Sequence, residues 1–415
     1  ISITDTTLTY SGDDISLGAN TLTLSGGGTL SNTNALNLNN ASSKLLLNSI
    51  TVAKVSTSAD NSGLDVDDDS TVTSLTVGHT TPVSIASGKT LSGAVTVTAG
   101  SIKLDEAGTL GSTVSMSGGT MDVDKTSTIS GALTQSGNIE IDVKAGETLT
   151  YSGAEVSLGA NTLTLSGGGT LGNTNALVLN NGISKLLLNS ITVGSVSTSV
   201  KSYGLDVNAD STVTAFSVGH VTPLKIASGI TLSGAITVKS WARLRIDEPG
   251  TLGADVSMSE QGSLDVDNTL TLSGAITLAN TNINTNIDVK PGETLTYSGA
   301  AVSLGANTLT LRGGGTFSNT NAFVLNNASS KLLLNSITVG SVSTSANNSG
   351  VDINDSSTIT SLAVGHTTPV SIADGKTLSG AVTVTAGSIK LGETGTLAST
   401  VSMSGGKLEA DETLT

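Results

Sequence analysis

The densest group of side chains that could do chemistry is an aspartate run that holds Asp65, Asp67, Asp68 and Asp69. Carboxylate oxygens suit calcium, so the run is a candidate calcium site, although its spacing matches neither an EF-hand loop nor a calcium-binding β-roll nonapeptide. Clustered carboxylates would also serve a glycan hydrolase or lyase. The two later copies of the segment carry other sets: Asp206, Asn208 and Asp210, then Asp352, Asn354 and Asp355. Because the set drifts and no arginine accompanies it, we expect solvated turn residues.

Two further groups are weaker candidates. Adjacent acids occur at Asp105-Glu106 and Asp247-Glu248, and Glu393 stands in the third copy. Adjacent turn residues rarely face one another across a substrate, so we expect no catalytic residue. Single histidines recur at positions 79, 220 and 366, with no second strong ligand nearby. Zinc needs three or four converging ligands, so no metal site other than the calcium candidate, and no other cofactor, is expected.

One local oddity could contact a partner. Trp241, Arg243 and Arg245 lie in a segment that replaces the sequence Ala-Gly-Ser-Ile-Lys-Leu of the two other copies. It holds the only Trp of the chain and two of its three arginines. An exposed Trp beside Arg could stack on a sugar or a protein. Drift in one copy explains the same residues.

Threonines on alternate positions form a second surface candidate. A Thr-x-Thr pattern repeated in every coil would give two outward ranks of hydroxyl and methyl groups, as ice-binding solenoids present. Thr is also an ordinary residue of solvated strands, and stacked Thr columns stabilise strand pairing. The candidate residues are Thr7, Thr9, Thr71, Thr73, Thr148, Thr150, Thr212, Thr214, Thr294 and Thr296.

These candidates are positioned by a short repeat, a Thr–Leu step that returns every 17 to 23 residues. A fixed period of this size predicts a solenoid in which each repeat forms one coil. The residue before the apolar one is Thr at 18 of 21 steps and Ser at the others, which are Ser49, Ser190 and Ser336. The apolar members are Leu8, Leu30, Ile50, Val72, Leu91, Leu110, Ile129, Leu149, Leu171, Ile191, Val213, Leu232, Leu252, Leu272, Leu295, Phe317, Ile337, Ile359, Leu378, Leu397 and Leu414.

A longer repeat groups seven short ones. The segment SKLLLNSITV recurs with its lysine at 44, 185 and 331, offsets of 141 and then 146 residues. We expect one continuous solenoid over 1–415, with long repeats at about 1–141, 142–287 and 288–415, the last incomplete. The chain starts and stops inside a repeat, so we interpret it as part of a longer array.

Within a short repeat, apolar and polar residues alternate with period 2 in three pieces separated by Gly, Asn, Asp or Ser, as in 232–250. This pattern predicts strands. The fold class is therefore all-β: a parallel β-helix of about 21 coils of 19–23 residues with three short strands per coil. Variable coil length and the lack of a hexapeptide favour the right-handed form.

Composition excludes several function classes. A net charge of −15 and scattered basic residues argue against nucleic-acid binding and attraction to anionic membranes. The chain has no Cys, so it has no disulfide or thiol nucleophile. No apolar stretch is long enough for a membrane span, so we expect no direct membrane insertion.

The Gly/Thr-rich strand repeats at 90–104 and 377–391 resemble the β-helical passengers of bacterial autotransporters and the large filamentous-haemagglutinin-type adhesins. The resemblance implies a bacterial, extracellular or cell-surface stalk or fibre, and it carries over no catalytic residue. Its partners would be cell-surface glycans, host or neighbouring cells, or like chains. The expected function is structural and adhesive, not enzymatic. The alternatives are an ice-binding solenoid that uses the Thr columns and a glycan-active β-helix enzyme.

Overall fold

The computed structural model describes residues 1–391 and 394–410. All regular structure in these residues is β-strand, and none of them form a helix that could cross a membrane. Leu414 and Glu393 lie outside the described residues. The chain divides into two compact units, each treated by itself: unit 1 is Ile1–Ser197 with Asn208–Thr214, and unit 2 is Thr198–Val207 with Ala215–Thr415.

In half of the described coils the first two strands join into one of seven or eight residues, such as Thr90–Val97; the other half contain three short strands, of which the first carries the Thr–Leu step. In one coil these are Thr109–Leu110, Thr113–Met116 and Thr120–Val123. Alternate residues point inward, so Leu110 and Met116 are buried between half-buried or exposed neighbours. Third strands of successive coils pair in parallel as sheet A, and first and second strands pair as sheet B. The predicted parallel β-solenoid, with about 20 turns, is confirmed, and the predicted three short strands per coil are present in half of the described coils.

The strands of unit 1 fall into these two sheets. Sheet A consists of Thr21–Ser25, Lys44–Asn48, Gly63–Val66, Thr81–Ile85, Ser101–Leu104, Thr120–Val123, Ile139–Val143, Thr162–Ser166 and Lys185–Asn189. Sheet B consists of Thr7–Tyr10, Ile15–Ser16, Thr29–Asn32, Leu36–Leu38, Thr51–Thr57, Ser70–Val77, Thr90–Val97, Thr109–Leu110, Thr113–Met116, Ser127–Ile129, Leu133–Gln135, Thr148–Tyr151, Val156–Ser157, Thr170–Asn173, Leu177–Leu179 and Thr192–Thr198. Three strands have residues in both units: Thr192–Thr198, Gly204–Ala209 and Ser211–Val218.

Unit 2 repeats the arrangement. Sheet A consists of Gly204–Ala209, Val221–Ile226, Arg243–Ile246, Ser263–Val266, Asn284–Val289, Thr308–Arg312, Lys331–Asn335, Gly350–Asp355, Thr368–Ile372, Ser388–Leu391 and Lys407–Ala410. Sheet B consists of Thr231–Val238, Gly250–Leu252, Asp255–Met258, Leu270–Leu272, Ile276–Leu278, Thr294–Tyr297, Val302–Ser303, Thr316–Asn319, Phe323–Leu325, Thr338–Thr344, Ser357–Val364, Thr377–Val384 and Thr396–Met403.

The register corrects three of the predicted steps. Thr29 and Leu30 pair with Thr51 and Val52, not with Ser49 and Ile50. Ser49 instead has φ of 49°, as do its copies Ser190 and Ser336 with φ of 57° and 54°. These serines therefore form a left-handed corner before the first strand, and the step is Thr–Val in all three coils.

The first strands align in blocks of four and three coils, which together make the seven-coil long repeat. The four-coil blocks contain Thr7, Thr29, Thr51 and Thr71 in unit 1 and Thr294, Thr316, Thr338 and Thr358 in unit 2. The three-coil blocks contain Thr90, Thr109 and Thr128 and, in unit 2, Thr231, Thr251 and Thr271.

At a block boundary the register moves by two residues. Thr71 pairs with Ser92 rather than Thr90, and Thr358 pairs with Ser379 rather than Thr377. The glycines that follow, Gly93 and Gly380, have φ of 118° and 120°. A Cβ at Gly380 would lie 1.8 Å from the Ile359 carbonyl oxygen. A move of two residues keeps every side chain on its own face of the strand.

Buried polar side chains join neighbouring coils. Asn319 is buried, with 6 % of the residue exposed. Its side-chain amide nitrogen donates to the carbonyl oxygens of Asn321 at 2.9 Å and Ser341 at 2.7 Å. Its Oδ1 accepts from the backbone N–H of Gly340 at 3.0 Å and of Ser341 at 3.1 Å. Asn173 makes the same type of bridge in unit 1.

Candidate functional site

The four predicted calcium ligands do not converge on one point in the structure. Asp65 forms an ion pair with Lys44, and Asp68 lies 2.6 Å from the Lys89 ammonium nitrogen. The Lys89 hydrogen bond, together with bonds from Asp69 N–H and Ser49, lowers the pKa of Asp68. Asp69 accepts from Thr90 N–H at 2.8 Å. Three of the four carboxylates therefore have separate partners, and Asp67 completes no cluster with them.

More generally, no group of three or more His, Cys, Asp or Glu side chains in the described residues could hold a metal ion. In the third copy, Asp352 pairs with Lys331 at 2.6 Å and Asp355 with Lys376 at 2.9 Å. The arrangement around these aspartates is thus an ion-pair pattern that returns with the long repeat.

Sequence reasoning missed one pair of neighbouring carboxylates in unit 1. Asp122 and Asp142 lie side by side on adjacent strands of sheet A. Burial raises the pKa of Asp122, opposed by a Ser101 hydrogen bond and by Lys103, while Asp142 raises it further. The signal was available as an apolar–Asp–apolar triplet at the same strand position in successive coils.

The ten predicted threonines lie on first strands, and none is buried. The threonines that precede the apolar residue of each step are in register within each block, as in the Thr148–Thr170 pair. The column that follows the apolar residue is interrupted, because Thr9 pairs with Ser31, Thr150 with Gly172 and Thr296 with Ser318. The block boundaries interrupt both columns, so the threonines form short patches and not one array.

Trp241 and Arg243 lie on a corner of unit 2 that differs from its copies. The connection from second to third strand is 239–242 here against 98–100, and 259–262 against 117–119, one residue longer in each coil. In the next coil it is 279–283 against 136–138, and the strand that follows begins one residue earlier. All five extra residues of this long repeat therefore lie at one corner, in three successive coils. We call this the enlarged corner.

The insertion also corrects the alignment of the arginines. Arg245 pairs with Pro223, as Lys103 pairs with Pro82 in the first copy, so Arg245 replaces Lys103. By the same register Arg243 replaces Ser101. Trp241 is inserted at the tip of the turn, where its side chain is 76 % exposed.

The backbone of the enlarged corner is left-handed in each of its coils. Trp241, Gln261 and Asn282 have φ of 64°, 56° and 60°. The first copy uses Gly100 and Gly119 at the corresponding corners. A left-handed conformation costs a residue other than glycine about 1–2 kcal/mol, least for Asn. Such strain concentrates at functional sites.

A surface cavity of about 330 Å³ lies beside this turn. Trp241, Ala242 and Arg243 line it from one coil, with Val221, Gln261, Ser263 and Asn286 from neighbouring coils and Arg312 from the coil beyond. Arg312 is the third arginine of the chain, and only the coil stacking places it here. The enlarged corner therefore gathers the single Trp and two of the three arginines of the chain around one cavity.

Carboxylates hold the arginines in place. Arg243 lies 3.0 Å from Asp265, and Arg312 lies 2.9 Å from Asp288. Arg245 faces Asp247, to which its Nη2 donates at 2.7 Å, and does not line the cavity. Burial raises the pKa of Asp265, while Ser263 and Arg243 act in the opposite direction. Both cavity arginines are thus neutralised.

No family model, no curated protein and no solved structure matches this chain.

Proposed function

We propose that this chain is a structural and adhesive segment of a longer extracellular surface protein, a stalk or fibre. It would space and display its outer surface to glycans, to host or neighbouring cells, or to like chains. It acts without a cofactor and without catalysis. The resemblance of its strand repeats to bacterial adhesin passengers supports the bacterial surface location.

One observation carries this proposal: within each unit every coil is hydrogen-bonded to the next through parallel ladders in both sheets. A stack held in this way needs no other support, since each coil buries its apolar face against its neighbours. Adding coils therefore lengthens the support without changing its local structure.

The surface chemistry agrees with this role. Most resolved charge contacts of the described residues are single ion pairs between coils, such as Lys331–Asp352 and Lys376–Asp355. Exposed pairs of this kind contribute little stability, but they keep the surface polar. The net charge of −15 opposes non-specific aggregation of the chain.

Labelling of intact cells tests the location. An antibody raised against the purified chain should label producing cells before permeabilisation, and external protease should remove the label. Label that appears only after permeabilisation would contradict the proposal. An antibody to an internal protein is the control for cell integrity.

Beads that carry the chain at high density test adhesion. They should attach to the surface of neighbouring or host cells, because many weak contacts act together on one bead. Beads that carry a heat-unfolded sample are the matched control. Attachment equal to the control would contradict the adhesive role and leave only the spacing role.

A further inference from the structure

We propose that the enlarged corner of unit 2 binds a neutral glycan, with a pyranose ring stacked on Trp241. This rests on the proposed display function, because it assigns to that function a ligand class and a place in the chain.

The enlarged corner is a consistent local structure that extends over three coils. Five extra residues in three successive coils all extend the same connection. Trp241 and Gln261 occupy left-handed positions for which glycine serves in the first copy. Random drift would scatter insertions over the corners of the coil, whereas these all lie at one corner, and two of the three enlarged connections line the cavity.

A second exposed aromatic side chain, Tyr203, lies near the enlarged corner. Tyr203 is 60 % exposed and is also specific to this long repeat, since Ser62 and Ser349 stand in the two other copies. Tyr203 immediately precedes the strand Gly204–Ala209 of sheet A. This strand lies two coils before the strand Arg243–Ile246, which follows Trp241. Two coils correspond to about 10 Å, a separation that two sugars of one chain can span. Ring faces of this kind pack against the apolar C–H face of a pyranose.

Polar side chains of Asn286, Arg243 and Arg312 line the cavity. The side-chain amide of Asn286 makes no hydrogen bond to the rest of the described chain and is half-buried beside the cavity. The two guanidinium groups of Arg243 and Arg312 are fixed by Asp265 and Asp288 and keep further donors. Fixed donors and a free amide around an aromatic platform suit hydroxyl groups.

The charge balance selects a neutral ligand. Each arginine of the cavity already faces a carboxylate, so no uncompensated positive charge remains for a sulfate, phosphate or uronate group. A protein partner is also disfavoured. Trp241 is the single large apolar side chain exposed at this turn among the described residues, whereas a stable protein interface needs an extended apolar centre.

The single Trp makes the test direct, because all tryptophan fluorescence of the chain comes from Trp241. The full chain is titrated with neutral β- and α-linked oligosaccharides of hexoses and xylose, and with acidic glycans for comparison. We expect saturable quenching or a shift of emission with a neutral oligosaccharide, and protection of Trp241 from acrylamide. The affinity should change little between roughly 0.05 and 0.5 M salt.

Variants locate the site by calorimetry. Trp241→Gly should abolish binding without harming the fold, because glycine relieves the left-handed backbone. Asn286→Ala and Tyr203→Ser should each weaken binding about tenfold, the effect of removing one good contact. Arg245→Lys is the matched control, since this arginine lies outside the cavity and lysine stands there in the first copy; it should bind as the parent chain does.

Several results would overturn the proposal: no response to any neutral glycan, a response confined to acidic glycans with strong salt dependence, unchanged binding by Trp241→Gly, or protection of Trp241 by a protein partner alone. Surface location is scored by antibody labelling of cells. A displayed chain without glycan binding thus refutes the site alone, and a glycan-binding chain that stays inside the cell refutes the location alone.

Discussion

Asn319 offers the sharpest test of how neighbouring coils are held together. Asn319→Ala removes four hydrogen bonds, of which three join the corner of one coil to Gly340 and Ser341 of the next and one goes to Asn321 in the same coil. At about 1 kcal/mol each, their loss gives roughly 4 kcal/mol as an upper figure. Gly340 and Ser341 are half-buried, so water replaces part of the loss. We therefore expect a destabilisation of about 2 kcal/mol or more.

Hydrogen exchange followed by mass spectrometry is the appropriate assay, because a solenoid can open locally while the remaining coils stay folded. Peptides that contain Gly340 should exchange about thirtyfold faster in Asn319→Ala than in the parent chain, the factor that corresponds to about 2 kcal/mol. The urea midpoint of unfolding should fall as well.

Two matched variants give the comparison. Asn326 is exposed and its Oδ1 accepts one bond, from Gly305 N–H at 2.8 Å, so Asn326→Ala should cost about 1 kcal/mol or less. Asn173→Ala should have a similar effect in unit 1, since three of the four bonds correspond. Equal effects of Asn319→Ala and Asn326→Ala, or unchanged exchange at Gly340, would show that Asn319 does not hold the two coils together.

Three further substitutions test other features. Gly380→Ala should destabilise the chain by more than about 3 kcal/mol in urea unfolding, since φ is 120° and a Cβ would lie 1.8 Å from the Ile359 oxygen. Gly375→Ala is the control, because Gly375 has φ of 70° with open space around it, and it should cost about 1 kcal/mol. Equal effects of the two substitutions would contradict the close packing at Gly380. Tyr297→Phe removes a bond to the Ala300 carbonyl oxygen at 2.6 Å and should cost about 1–3 kcal/mol. Burial raises the pKa of Tyr297 above 10.0, so the parent chain should lose more stability than the variant as pH rises from 10.0 through that raised value; thermal unfolding at alkaline pH decides this. Burial also raises the pKa of Asp122 above 3.8, so Asp122→Asn should stabilise the chain at neutral pH but not below pH 3.8, and equal melting temperatures at pH 7 would exclude the effect.

The coil was predictable because two simple patterns specify it. The alternation of apolar and polar residues assigns each strand its inner face, and the Thr–Leu step fixes the period. Register was less accessible. Ser49-Ile50 resembles the step as closely as Thr51-Val52 does, and only the left-handed backbone at Ser49 distinguishes a corner from a strand.

The surface groups were predictable only in part. Trp241 and Arg243 stood out by their rarity, but Arg312 lies about 70 residues further along the chain, and only the stacking of coils brings it to the same cavity. The aspartate run at 65–69 looked like a cluster because its members are adjacent in sequence. In a strand and its turn, adjacent side chains point in different directions, so Asp65, Asp68 and Asp69 have different partners.

The division of the long repeat into four coils and three coils constrains how a gene of this kind can change its length. Recombination between nearly identical copies deletes or adds whole long repeats, and each such exchange joins a four-coil block to a three-coil block across the glycine that accommodates the offset. An exchange of single coils would change the number of coils in a block and so break the alternation of four and three. Length variants of the gene should therefore differ by multiples of seven coils. A residue that binds a ligand in one long repeat can diverge while the other long repeats keep the solenoid intact.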